Sequence, residues 1–94
     1  MDNNFKSYTE TAEILKALAH PVRLCIVRGL MKKEYCNVTY MQECLHLPQS
    51  TVSQHLQKLR SMGIVETERN GLEVNYTLAN DKVKKLIAIF FGEE

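Results

Sequence analysis

The sequence predicts a small α+β domain, mainly helical, on three observations. Apolar residues recur at helical spacing through residues 8–19, 21–31, 40–45, 48–62 and 80–91. Ahead of the last of these stretches the period changes to two, through 64–69 and 73–78 around Asn70-Gly71. Both prolines, Pro21 and Pro48, stand where a helix would begin, so the missing N–H costs nothing. The element order is α-α-α-α-β-β-α.

Residues 1–7 are polar and read as a flexible arm; residues 8–94 read as one domain. In the first helix Ile14, Leu15 and Leu18 form an apolar stripe, ended by His20-Pro21. The second helix carries Val22, Ile26 and Leu30 at four-residue spacing, flanked by Leu24, Cys25 and Val27. Residues 32–37 are a polar connection, and the β-branched Val38 and Thr39 suggest a very short strand. A short helix over 40–45 and a longer one over 48–62 follow. The longer one has Val52, Leu56 and Leu59 as its buried seam, a polar face of Gln49, Ser50, Ser53, Gln54, Gln57 and Lys58, and Gly63 as its stop. Asn70-Gly71 is a hairpin signal. Beyond it Val74, Tyr76 and Leu78 alternate with Glu73, Asn75 and Thr77. The last helix presents Val83, Leu86, Ile87 and Phe90, widened by Ile89 and Phe91.

Composition removes several classes of function. With 45% hydrophobic residues the chain is not disordered throughout. No apolar run reaches the roughly 20 residues of a membrane span, and no secretory leader is visible, so the expected location is the cytoplasm. Three cysteines without a Cys-x-x-Cys pair do not make a disulfide framework. Three histidines and scattered carboxylates have no catalytic spacing, and no phosphate-binding glycine loop is present, so no enzyme and no cofactor are expected. The balance of 12 basic against 11 acidic residues excludes a polybasic protein, but not one with a local positive surface.

Two helices around a tight turn, followed by a hairpin and a closing helix, is the order of a winged helix-turn-helix, with the second central helix placed for a DNA major groove and the hairpin as the wing. Three segments sharpen this. Residues 15–24 (LKALAHPVRL), residues 47–56 (LPQSTVSQHL), and residues 63–66 with 69–71 and 76–78 resemble the ArsR/SmtB family of bacterial repressors in order and spacing. The resemblance covers about residues 10–90. It implies a homodimer joined through the first and last helices, an inverted-repeat operator in double-stranded DNA, and, in many members, release of DNA on binding a metal, an arsenical or an oxidant.

On that frame the residues expected to read bases are Gln49, Ser50 and Gln54, with Thr51 exposed beside them; glutamine donates and accepts at once and so pairs with adenine. Ser53, His55 and Lys58 are phosphate candidates, His55 being equally a packing histidine between Val52 and Leu56. At the wing tip Arg69 and Asn70 face DNA, or Arg69 pairs across the strands with Glu73. Arg23 reads as an anchor at a helix junction. The dimer interface is expected from Ile14, Leu15, Leu18, Val83, Leu86, Ile87 and Phe90, an apolar face too broad for so small a core.

The family's metal sites are not carried over. Its thiolate pair falls at Asn37 and Thr39, with Cys36 one residue out of register. Its last-helix site falls at Asn80 and Lys82, then near Glu93. No metal is expected there. Cys25, Cys36 and Cys44 are left as candidate redox thiols, Cys36 expected exposed and Cys25 and Cys44 in the core. Two alternatives to a plain repressor stay open: a thiol-sensing repressor, and a winged-helix interaction module that does not bind DNA.

Overall fold

The computed structural model describes residues 1–92. Helix α1 spans Phe5–Leu18, α2 Pro21–Lys33, strand β1 Tyr35–Cys36, α3 Val38–Leu45, α4 Gln49–Ser61, β2 Val65–Asn70, β3 Glu73–Leu78 and α5 Asp81–Phe91. The sheet is antiparallel in the order β1-β3-β2. The fold is the expected mainly helical winged helix-turn-helix, with a two-residue strand, β1, beyond the order α-α-α-α-β-β-α.

That strand corrects the reading of residues 32–39. Tyr35 and Cys36, expected in a polar connection, pair with Thr77 and Tyr76 on the free edge of β3. Val38 and Thr39, expected as a strand, open α3 instead, because the Asn37 side chain accepts the Tyr40 backbone N–H at 2.8 Å and starts the helix there. A strand edge needs a partner for its backbone groups, and no local periodicity announces a two-residue one.

The arm is also shorter than expected. Residues 5–7 are helical, since Asn4 caps α1 through the Ser7 N–H at 3.5 Å. All residues from Phe5 to Ala12 are exposed, so the first two turns of α1 project from the protomer uncovered. The dimensions reflect this: 48 × 26 × 24 Å, with a radius of gyration of 14.0 Å, against about 12 Å for a compact chain of this length.

One core joins every helix to the sheet: Ala17 and Leu18 from α1, Ile26, Val27 and Leu30 from α2, Met41 from α3, Val52, Leu56 and Leu59 from α4, Val65 and Leu78 from the hairpin, Val83 and Ile87 from α5. Of the residues expected at a dimer interface, Leu18, Val83 and Ile87 are therefore spent inside the protomer. Ile14 and Leu86 are half-buried, while Leu15 is 49% and Phe90 74% exposed.

The thiols are placed the other way round from expectation. Cys36 is buried, because strand alternation turns Tyr35 outward and Cys36 onto the core face. Cys25 and Cys44 are exposed. Ile26, Val27 and Leu30 take the core stripe of α2 and leave Cys25 beside it.

Candidate nucleic-acid interface

The interface is built on α3, its turn and α4. His46 closes α3 in the left-handed region at φ 56°, and Leu47 and Pro48 follow. Pro48, extended at φ −61° and ψ 148°, is the N-cap of α4 rather than its first residue, and its carbonyl accepts the Thr51 and Val52 N–H groups at 3.1 Å each. Val52, Leu56 and Leu59 are fully buried and fix the rotation of α4 about its axis. At 3.6 residues per turn, Ser50, Gln54, Gln57 and Ser61 then lie along the opposite side, and all four are exposed. Gln49 and Lys58 are also exposed; Thr51 and Ser53 are half-buried on the flanks. Gln57, on the polar face but outside the expected DNA-contact residues, stands in the same row as Gln54, one turn on.

His55 is turned inward. Its Nδ1 accepts a hydrogen bond from Arg23 Nε at 3.1 Å, and its ring lies 4.5 Å from that of His20. Burial, with His20 and Arg23 adding to it, pushes the His55 pKa below the ordinary histidine value. His55 is thus neutral at neutral pH, with Nδ1 occupied. Arg23 also donates from Nη1 to the Ala17 carbonyl at 3.4 Å, and His20 Nδ1 accepts the Val22 N–H at 3.1 Å as the cap of α2. One guanidinium so ties the end of α1, the start of α2 and the middle of α4. The packing alternative for His55 has a specific partner, which only the meeting of α2 with α4 supplies.

Gly63, in the left-handed region at φ 71°, turns the chain from α4 into β2. The hairpin loop is Gly71–Leu72, one residue later than the Asn70-Gly71 signal suggested, since Asn70 still pairs with Glu73. Gly71 supplies the positive φ, 68°, that the first position of such a loop requires. Leu72 is fully exposed at the tip.

Register settles the charge of the wing. Thr67 pairs with Tyr76 and Arg69 with Val74, on the face of the buried pair Val65 and Leu78; Glu66, Glu68 and Glu73 all fall on the other face. Arg69 and Glu73 therefore point to opposite sides, and the cross-strand ion pair weighed for them does not form. Glu73 instead accepts from Asn37 Nδ2 at 2.6 Å. Arg69 stays exposed on the face that carries Val65 and Leu78, with the carboxylates on the other.

A family model described as bacterial regulatory protein, arsR family, matches residues 20–67. The chain belongs to the ArsR family. It is 46% identical over 85 residues to the transcriptional repressor PagR of Bacillus anthracis, a match that covers 90% of this chain and 85% of that protein. The crystal structure of PagR superposes with a TM-score of 0.84 at 45% identity, over 93% of this chain and 99% of that one. A homodimeric winged helix-turn-helix DNA-binding domain from Mycobacterium bovis, solved in solution, superposes at 0.82 with 30% identity, over 96% and 82% of the two chains.

The ArsR-family match begins at His20 and ends at Thr67. It contains His20, Arg23 and His55 together with all of α3 and α4. At the family's metal positions this chain's residues do not fit a thiophilic metal. The Asn37 amide is committed to capping α3 and to Glu73, Thr39 is an exposed hydroxyl, and Lys82 brings a cation. Glu93 lies outside the described residues. Among those described, no three of His, Cys, Asp and Glu gather closely enough to hold a metal ion, and no helix is long and apolar enough to cross a membrane.

Proposed function

We propose that this ArsR-family protein is a repressor that binds an inverted-repeat operator as a homodimer, without a catalytic step. The carrying observation is that α4 presents an exposed polar side that includes Lys58, and that the wing keeps Arg69 exposed on the face away from its carboxylates. Ser50, Gln54, Gln57 and Lys58 project from α4, and Arg69 from the wing, while the Val52–Leu56–Leu59 seam and the wing carboxylates are turned away. Glutamine and serine side chains suit base edges, and Lys58 and Arg69 suit phosphates. The PagR repressor and the homodimeric M. bovis domain support this reading at the level of the whole chain.

The dimer follows from surface left without cover. Phe5, Tyr8, Leu15, Ile89, Phe90 and Phe91 are exposed on the first and last helices, and the projecting turns of α1 have no tertiary support within the protomer. Isolated helical turns are marginal in water, so a partner's α1 and α5 would supply the missing contacts.

The test is selection of genomic fragments by the purified protein, followed by fluorescence anisotropy on the enriched sequence and on a scrambled duplex. An enriched inverted repeat with half-sites about one helical turn apart is expected. Equal retention of genomic and random DNA would remove the repressor reading.

A further inference from the structure

The three cysteines of the chain come from three different elements and line one cavity. It lies between α2 and α3, has a volume of about 270 Å³, and is walled by Cys25, Cys36, Tyr40, Met41, Cys44 and Leu45. That volume falls just short of the roughly 300 Å³ at which drug-sized sites begin, so it suits only a small molecule. Met41 is buried and Leu45 half-buried, so the space beside the sulfurs is apolar.

The thiols are not equivalent. Cys36 is the buried one; its Sγ donates to the Asn37 carbonyl at 3.4 Å, and burial pushes its pKa up, so it stays protonated. Cys25 and Cys44 are exposed and can be approached. Cys44 has a hydrogen-bond partner one turn earlier on α3, the Tyr40 phenol. Its neighbour Cys44 raises the pKa of that phenol, so Tyr40 remains a donor to sulfur at neutral pH. The Lys33 ammonium stands 4.4 Å from the centre of the Tyr40 ring. Cys44 thus faces the cavity beside a phenol donor with a cation over its ring, and a thiol attacks through its sulfur.

We propose that this cavity is a covalent binding site for small apolar α,β-unsaturated carbonyl compounds, with Cys44 as the attacking thiol. Thiolate sulfur is a soft nucleophile matched to the electrophilic β-carbon, and the apolar wall takes up the hydrocarbon body. Cys44 gives up its proton, and sulfur bonds to the β-carbon. The π pair of the C=C bond moves toward the carbonyl as an enolate, which takes a proton at the α-carbon. The net change is addition of S–H across C=C, with no leaving group and no oxidant. The ligand would sit against α3, the first helix of the helix-turn-helix.

The test uses the reduced 94-residue chain, 2-cyclohexen-1-one as the apolar probe and acrylamide as the polar one, read by intact mass and peptide mapping. A plugged variant, Gly29→Leu, fills the cavity: Gly29 lines it, a Cβ there meets nothing within 4 Å, and leucine is the better helix former. Because binding raises the local concentration of the probe, one cyclohexenone adduct is expected at Cys44, formed about tenfold faster than on glutathione at the same pH and slowed about tenfold by Gly29→Leu. Acrylamide should label both forms of the protein at the same rate. Circular dichroism confirms that the variant is folded. Labelling at the glutathione rate, labelling insensitive to Gly29→Leu, or first addition at Cys25 or Cys36 would each overturn the proposal. Since the readout is covalent mass, it stands or falls independently of DNA binding.

Discussion

At the scale of single residues, the proposed interface divides α4 into side chains that would read bases and side chains that would hold phosphates. Gln54 is exposed opposite the buried seam and carries no charge. Gln54→Ala should lose about 1 to 3 kcal/mol of discrimination against altered half-sites, with the salt dependence unchanged. Lys58→Ala should instead weaken specific and scrambled duplexes alike and lower the log–log salt slope by about 0.9 per lost phosphate contact, about 2 for a dimer. Anisotropy across a potassium chloride series measures both, and a slope flattened by Gln54→Ala but not by Lys58→Ala would reverse the assignment. His55 yields a different prediction. Its pKa is lowered in the folded chain, so the unfolded chain takes up the proton first. The stability it contributes is present above the ordinary histidine value of about 6.5 and is lost as pH falls through and below it. Urea midpoints should therefore drop between about pH 7.5 and pH 5.5, and drop less in His55→Gln, which removes the titrating ring. An identical pH dependence in the variant would show that the buried His55 ring does not carry the effect.

Among the elements, α3 and the wing are the ones that their neighbours define most. The cap of α3 is the Asn37 side chain, which is shared with Glu73 across to β3. Asn37→Ala should cost about 1 kcal/mol of stability, within the range for loss of an N-cap, as a lower urea midpoint at unchanged slope. An unshifted midpoint would mean that tertiary packing alone sets the start of α3. In the wing, the pleat carries Arg69 on one face and Glu66, Glu68 and Glu73 on the other. Arg69→Ala should lower the salt slope by about 0.9 per protomer if the guanidinium meets a phosphate. The same substitution should not unfold the hairpin, since its cross-strand neighbour is Val74 and not a carboxylate. A slope equal to that of the parent chain would take the wing out of the interface.

For the whole molecule the question is what covers α1 and α5. Phe5 is 72% and Phe90 74% exposed on a chain of 10.8 kDa. Sedimentation equilibrium at micromolar protein should give twice the chain mass of 10.8 kDa. Leu15→Glu with Phe90→Asp should give the monomer and lower the apparent stability, because dimerisation stabilises a folded protomer by mass action. Neither side chain belongs to the buried core, so circular dichroism should still report a folded chain. A parent protein that sediments as a monomer would leave two recognition helices without a fixed separation and remove the basis for reading a palindrome.

The helices, the hairpin and the polar face of α4 are legible in the amino-acid order. Those signals are local: Val52, Leu56 and Leu59 repeat at helical spacing, Val74, Tyr76 and Leu78 alternate, and Pro48 and Gly63 bracket α4. Periods of 3.6 and 2 follow from the backbone alone and need no knowledge of neighbours. Contacts between distant segments depend on how the elements pack. Cys36 is buried because β1 joins β3, and Cys25 is exposed because α2 spends its other side on the core. Arg23 meets His55 across 32 residues of sequence, and Arg69 is separated from Glu73 by a register that one residue of slip would invert. Leu18, Val83 and Ile87 look like interface residues by pattern and are core residues in fact, because an apolar stripe records that a face is covered but not which chain covers it.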